Sequence, residues 1–163
     1  MKNIITLLLL SISLISNAQY DLTVLEEQVY TIIKEYKLKD SLFYNKYNFS
    51  IIIDKKLSGE CKEHSIRMFK TTNVYHDKNR TKSSEIVSNT HFYDWPTTTI
   101  YSIDSLHIQI INKFFDSPNH KEIIDSWKTH VGVGIYVDNK SKMAWTTIRF
   151  YSDYKLKLEL YTQ

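Results

Sequence analysis

A histidine at the start of a short helix is the side chain best placed to do chemistry. The segment "SPNHKEII" offers Ser117 for the N-cap position and Pro118 for the first helical position, which puts His120 in the first turn. The partial positive charge of a helix N-terminus disfavours a protonated imidazole, so His120 is predicted to be neutral. A neutral imidazole can accept a proton or bind a divalent metal ion.

Two further polar residues, His76 and Glu85, lie in the stretch from Tyr75 to Trp95. This stretch lacks a clear hydrophobic period and is interpreted as mostly loop. A carboxylate and two histidines that are separated by long segments have almost no specificity as a spacing pattern. The residues alone therefore do not define a site.

The other reactive side chains are predicted to be structural. Cys61 shares an apolar helix face with Leu57 and Met68, which favours a packed thiol over a nucleophile. His107 lies on the apolar stripe of another helix and is predicted to be a satisfied core histidine.

Four helices precede the strands in the predicted order. Apolar residues recur at helical spacing from Leu22 to Tyr36, from Leu57 to about Thr72, and from Ile103 to Phe115, and a short fourth helix follows Ser117. Asn73 is a candidate terminator of the second helix.

The C-terminal part reads as strands. The segments "HVGVGIYVD" and "MAWTTIRFY" flank "NKSK", which predicts a hairpin, and "YKLKLELY" alternates as a third, edge-like strand. Gly132 and Gly134 share one strand face, which indicates close approach of a backbone or a bulky side chain such as Trp145. Helices followed by strands predict an α+β fold in which helices cover an antiparallel sheet.

Length and composition indicate one exported domain. Residues 1–18 resemble a signal peptide, with Lys2 before an aliphatic run and "SNA" as a cleavage site, so residues 19–163 are predicted to form a single domain. The apolar run is too short for a convincing membrane span. The net charge of the 163-residue chain is +3 with interleaved signs, so no nucleic-acid partner is expected. A single cysteine allows no internal disulfide. A monomer that is secreted or periplasmic is expected.

Three segments together resemble the CAP superfamily (the SCP, Tpx-1 or pathogenesis-related-1 domain), particularly its short bacterial secreted members. They are "LSGECKEHSIRMFKTTNVYH" from Leu57, "SSEIVSN" from Ser83 and "SPNHKEIIDSWKTHVGVGIYVDNKSKMAWTTIRF" from Ser117. The family patterns are a helix of the type "HS..M" leading to a loop histidine, a "GEN" segment, "SPGHR", "VGVG" and "WTQ.F". The likeness covers most of residues 22–151 and is strongest from Ser117 to Phe150.

The resemblance implies a three-layer α-β-α sandwich with one cleft. Carried over by motif, the cleft residues are His76, Glu85 and His120, and in some members the two histidines hold a divalent metal, so zinc or another divalent metal is the implied cofactor. Glu85 would then act as a base on metal-bound water. The "GEN" segment has become Ser84-Glu85-Ile86 here, and only Asp116 is a candidate for the second cleft acid of larger members. His64 matches a family position outside the cleft and is interpreted as structural.

Three functions follow from this set of residues. The first is a binding protein whose cleft engages a ligand, a lipid or a partner protein. The second is a metal-dependent hydrolase that uses the same residues. The third is a structural secreted domain with a vestigial cleft, which the lost glycine and asparagine of "GEN" favour.

Overall fold

The structure is a computed structural model that describes residues 22–40, 49–80, 83–92 and 105–153, without the side chain of Asp40. The predicted signal peptide at residues 1–18 and the predicted strand "YKLKLELY" lie outside these residues. The described helices are α1 (Val24–Asp40), α2 (Lys55–Thr71), α3 (Leu106–Phe115) and α4 (Pro118–Asp125). The described strands are β1 (Ile52–Ile53), β2 (Ser84–His91), β3 (His130–Asp138) and β4 (Met143–Tyr151).

The four strands form one mixed sheet in the order β1-β3-β4-β2. The hairpin of β3 and β4 is antiparallel, and β2 pairs antiparallel with the other edge of β4. The short strand β1 pairs parallel with β3, with Ile52 opposite His130. The predicted α+β fold, with helices packed on a sheet, is confirmed. The sheet differs from the predicted antiparallel one because β1 is parallel and because β2 was not predicted as a strand.

The helices lie on both faces of the sheet because both faces carry buried side chains. The main core joins one face of the sheet to α1, α3 and α4 through side chains such as Val29, Ile110, Ile124, Ile148 and Phe150. Helix α2 packs on the opposite face, against β3 and β4. Alternation along β4 places Ala144, Ile148 and Phe150 in the main core and leaves Trp145 and Arg149 facing α2.

The glycines of β3 allow α2 to approach the sheet closely. A Cβ atom on Gly134 would lie 2.0 Å from the backbone nitrogen of Lys62, and one on Gly132 would lie 2.6 Å from Cγ of Leu57. The predicted close approach is confirmed. The approaching element is helix α2 and not the side chain of Trp145, which belongs to the adjacent strand.

Glu26 ties the start of α1 to the free edge of β3. Its Oε2 accepts a hydrogen bond from the backbone N–H of Thr23 at 2.9 Å, and its backbone N–H reaches Thr23 Oγ1 at 3.3 Å, which is a capping box. Its Oε1 accepts from the backbone N–H of Ile135 at 2.8 Å and from Lys62 Nζ at 3.3 Å. The buried carboxylate therefore satisfies a strand edge and a helix start together.

Cys61 and His107 differ in how far the structure matches their predicted packing. Cys61 is fully buried, its Sγ lies 3.5 Å from the carbonyl oxygen of Gly132, and burial raises the pKa of the thiol, so it is a packing residue as predicted. His107 is only partly buried, and its buried Nδ1 has no hydrogen-bond partner among the described residues.

No helix in the described ranges is long and apolar enough to cross a membrane.

Candidate functional site

His76 follows the C-terminal end of α2 and lies next to the sheet. Thr72 adopts a left-handed conformation with φ 50°, its backbone N–H bonds to the carbonyl of Phe69 at 3.0 Å, and the N–H of Asn73 bonds to the carbonyl of Met68 at 3.2 Å. This αL termination ends the helix one residue before the predicted terminator Asn73. The chain that follows runs past the start of β2, where His76 meets Glu85.

Glu85 lies in a strand, so the interpretation of residues 75–95 as mostly loop was wrong for residues 84–91. The strand was not recognised because both of its faces are buried while its side chains are largely polar. Ser88 and Thr90 lie on the face of Ile86, and Glu85 lies on the face of Val87. The polar residues therefore hide the period-2 pattern on which a sequence-based strand prediction depends.

Both carboxylate oxygens of Glu85 are occupied, although the residue is only 1% exposed. Oε1 accepts the backbone N–H of Asp77 at 2.9 Å and lies 3.1 Å from His76 Nδ1 and 3.4 Å from Arg80 Nη1. Oε2 accepts from Arg149 Nε at 2.8 Å. Glu85 is thus a buried anchor for neighbouring groups and has no free oxygen that faces solvent.

Arg149 is a site residue that the sequence reasoning missed. It lies directly opposite Glu85 in the pairing of β2 with β4 and is 4% exposed. Burial alone would lower the pKa of its guanidinium, but the hydrogen bonds to Glu85 and Asp77 outweigh burial and raise the pKa. The sequence does contain one indication of this role, because Arg149 lies between Ile148 and Phe150 in an otherwise apolar strand. A cation that is buried in such a strand requires a buried anion.

The ring of His76 is half-exposed and has one nitrogen in contact with two groups. Its Nδ1 lies 3.1 Å from Glu85 Oε1 and 2.9 Å from Arg80 Nη1. Nδ1 can donate to the carboxylate or accept from the guanidinium, but it cannot do both in one tautomer. Donation to Glu85 leaves Nε2 unprotonated, and such carboxylate–histidine pairs orient metal-binding imidazoles.

His120 lies in the first turn of α4, as predicted. Ser117 is at the N-cap with an extended backbone, although its side chain makes no capping hydrogen bond, and Pro118 is the first helical residue. The ring packs edge-on against Phe114 at 5.4 Å between centroids. Burial, and secondly the nearby charge of His76, lower the pKa of His120. This direction agrees with the predicted neutral form of His120.

The structure thus brings His76 and Glu85 into direct contact and places His120 within electrostatic range of His76. Asp116 is not joined to them: it ends α3 through a backbone hydrogen bond to Asn112, and its side chain is exposed. Within the described ranges, no group of three or more histidine, cysteine, aspartate or glutamate residues is arranged to hold a metal ion.

His64, which was interpreted from the sequence as structural, also belongs to this buried polar network. It is fully buried, and its Nδ1 lies 3.2 Å from Thr147 Oγ1 and 3.5 Å from Glu85 Oε2. Ser65 Oγ lies 2.8 Å from the carbonyl of Gly134 and 3.0 Å from Thr147 Oγ1.

These contacts determine the tautomer of His64. The hydroxyl of Ser65 has one proton, which it donates to the carbonyl of Gly134. In the contact between the hydroxyls of Ser65 and Thr147, Thr147 is therefore the donor. Thr147 Oγ1 then accepts from Nδ1–H of His64. Nε2 is left unprotonated and buried, without a hydrogen-bond partner among the described residues.

The buried imidazoles make stability depend on pH. Burial lowers the pKa of His64 below its usual 6.5, despite the opposing charge of Glu85, and the pKa of His120 is lowered as well. Below pH 6.5 the unfolded state therefore binds more protons than the folded state. We expect the free energy of unfolding to be retained at pH 7.5 and to fall as the pH decreases below 6.5.

Denaturant titrations across this pH range measure the effect. His64→Gln should remove part of the dependence, whereas His91→Gln, at an exposed position at the end of β2, should leave it unchanged. Equal slopes for the wild type and His64→Gln would refute a role for this histidine.

Comparison with known proteins supports the fold. No protein-family model matches the chain, and no curated protein matches it. An outer surface protein from Borrelia burgdorferi has a similar solved structure, with a TM-score of 0.56 and 15% sequence identity over 82% of this chain and 96% of that chain. At this level of identity the likeness shows a shared α+β architecture and does not transfer a site.

Proposed function

We propose that the protein is an exported CAP-like binding protein whose cleft, centred on His76 and His120, engages a ligand, a lipid or a partner protein. The order of the matched segments and the observed α+β fold support the resemblance. The predicted signal peptide supports export, and the outer-surface location named for the structural neighbour is compatible with it.

The observation that carries the proposal is the contact of the half-exposed His76 ring with the buried carboxylate of Glu85, with His120 within electrostatic range of that ring. His76 follows α2 and His120 lies in α4 on the opposite side of the sheet, yet a positive charge on His76 lowers the pKa of His120. His76 is 50% exposed, and its Nδ1 is in contact with Glu85, so Nε2 is the nitrogen available for a ligand. An unprotonated imidazole nitrogen binds divalent cations and accepts hydrogen bonds from polar ligands.

A divalent metal such as zinc is the ion that the two histidines would hold. His76 and His120 would be its protein ligands, and Glu85 would orient His76 through Nδ1 instead of binding the metal. The buried Nδ1 of His120 has no hydrogen-bond partner among the described residues, so a metal or ligand contact would satisfy a polar atom of this ring. A bound ion would supply an electrophilic contact for a ligand oxygen or nitrogen. With two protein ligands, the remaining positions would be open to the ligand or to water.

Binding is favoured over hydrolysis by the contacts of Glu85. A general base must reach a water molecule with a free oxygen, whereas Oε1 of Glu85 is shared by His76 and Asp77 and Oε2 is held by Arg149. The geometry therefore supports Glu85 as a positioning residue in a binding cleft.

Thermal unfolding with Zn²⁺ tests the proposal. A ligand at 100 times its Kd stabilises the folded state by about 2.7 kcal/mol. We expect zinc to raise the melting temperature of the wild type and to have no such effect on the His76→Ala, His120→Ala double variant. His91→Ala, which removes an exposed histidine from the far end of β2, is the matched control and should respond like the wild type.

The other results separate the alternatives. Stabilisation of the double variant by zinc would place the metal elsewhere and overturn the proposed cleft. If zinc does not stabilise the wild type, the proposed metal site is ruled out. A screen of lipids and peptides with the same variants would then test ligand binding by the cleft without a metal. Stoichiometric zinc together with ester or peptide hydrolysis that depends on Glu85 would favour the hydrolase.

A further inference from the structure

Asp77, the residue directly after His76, is attached to three elements of the fold. Its backbone N–H donates to Glu85 Oε1 in β2 at 2.9 Å. Its Oδ2 accepts from Arg149 Nη2 in β4 at 2.8 Å and from Arg67 Nη2 in α2 at 2.7 Å. The side chain of Asp77 is only 12% exposed. We call these three contacts the Asp77 clamp.

The turn that begins at Asp77 is held by the same side chain. Oδ1 of Asp77 accepts the backbone N–H of Asn79 at 3.0 Å, and the backbone N–H of Arg80 lies 3.4 Å from the carbonyl of Asp77. Oδ1 therefore shapes the loop locally, while Oδ2 connects it to the helix and the sheet.

The ring of His76 is not held by burial, since half of its side chain is exposed. Its position depends on the contacts of Nδ1 with Glu85 and Arg80 and on its neighbours in the chain. On one side Tyr75 packs edge-on against the buried ring of His64, with 5.1 Å between centroids. On the other side is the Asp77 clamp.

We propose that Asp77 is a positioning residue of the cleft: its clamp to Arg149, Arg67 and Glu85 holds the loop so that His76 is already oriented for a ligand. This inference rests on the proposed function for its ligand, but the positioning of His76 can be observed without one. Rigid placement before binding improves affinity because less conformational freedom is lost on association.

The two arginines contribute unequally to the clamp. Arg149 is 4% exposed and bridges Asp77 and Glu85, so its charge pairs are shielded from solvent. Arg67 is 46% exposed, and its pair with Asp77 is weakened by water and salt. The link to β4 is therefore expected to be the stronger of the two.

The experiment uses the whole chain with the substitution Asp77→Asn, which removes the charge but keeps the shape and an acceptor for the N–H of Asn79. Arg149 remains paired with Glu85, so the variant does not strand a buried cation. Arg67→Gln is a second, milder variant at an exposed position. Asp138→Asn is the matched control, because Asp138 also holds a turn, accepting from Ser141 N–H at 3.1 Å, at the opposite end of the β3–β4 hairpin.

Two measurements are made on each variant. Nitrogen-15 NMR reports the tautomer and exchange of the His76 ring and the amide exchange of residues 75–79, and calorimetry reports the Kd for Zn²⁺. We expect Asp77→Asn to weaken zinc binding by about tenfold or more, as outer-shell substitutions do, and to make the ring and loop amides exchange faster. Arg67→Gln should show the same changes to a smaller extent, and Asp138→Asn should show neither.

The two proposals fail in different ways. Unchanged ring tautomer, amide exchange and zinc affinity in Asp77→Asn would overturn the clamp while leaving the cleft intact. A wild type that does not bind zinc would overturn the metal site, and the NMR data without zinc would still decide whether Asp77 positions His76. Equal effects of Asp77→Asn and Asp138→Asn would also overturn the clamp, because they would indicate a general loss of turn stability.

Discussion

Replacing Glu85 with alanine is expected to lower the free energy of unfolding by about 3–5 kcal/mol, because it removes the more deeply buried of the two carboxylates at 2.8 Å from Arg149 and leaves Nε of that guanidinium without its partner. Arg149 Nε lies 2.8 Å from Glu85 Oε2, and both side chains are almost fully buried. When one member of a buried pair is removed, the remaining charged group stays desolvated and lacks a partner, because solvent does not reach it. Chemical denaturation of the wild type and the variant measures the difference.

Glu60 provides the control, since it is a second carboxylate near the same arginine. Its Oε2 lies 3.6 Å from Arg149 Nη1, but the side chain is 50% exposed. Glu60→Ala should therefore cost less than about 1 kcal/mol. Similar losses for the two variants would show that burial of the pair is not what makes Glu85 important.

Replacing Gly134 with alanine is expected to destabilise the fold by about 3 kcal/mol or more, at or above the upper end for overpacked cores. The added Cβ would lie 2.0 Å from the nitrogen of Lys62 and 2.3 Å from the carbonyl carbon of Cys61, both in the backbone of α2. A helix backbone cannot yield as a side chain can, so α2 would have to move away from the sheet.

Gly132→Ala is the comparison for this prediction. The nearest atom to its added Cβ is Cγ of Leu57 at 2.6 Å, in a side chain that can change rotamer, although the backbone of Leu57 is also close. The loss should be smaller than for Gly134→Ala when both are measured by thermal unfolding. A larger loss of stability for Gly132→Ala would contradict the inference that the backbone of α2 yields less readily at Gly134 than the side chain of Leu57 does at Gly132.

The site was partly predictable from sequence. His120 could be placed at a helix start because its local signals, Ser117 and Pro118, lie within three residues of it, whereas His76 was named only through the family resemblance. Asp77 and Arg149 could not be recognised as partners, because they are 72 positions apart and nothing local marks one as the counterion of the other. The contact of His64 with Glu85 could not be predicted for the same reason, because it exists only once α2 lies on the sheet.

By itself, the sequence determined the elements whose periodicity is local. The apolar spacing of α1, α2 and α3 and the β-branched segments of the hairpin specify helix or strand through interactions within a few residues. The tertiary structure alone decided that "SEIVSNTH" is a strand, that β1 runs parallel to β3, and which charges are paired. These features depend on burial against distant residues, and a polar side chain becomes acceptable in a core only when its partner arrives from elsewhere in the chain.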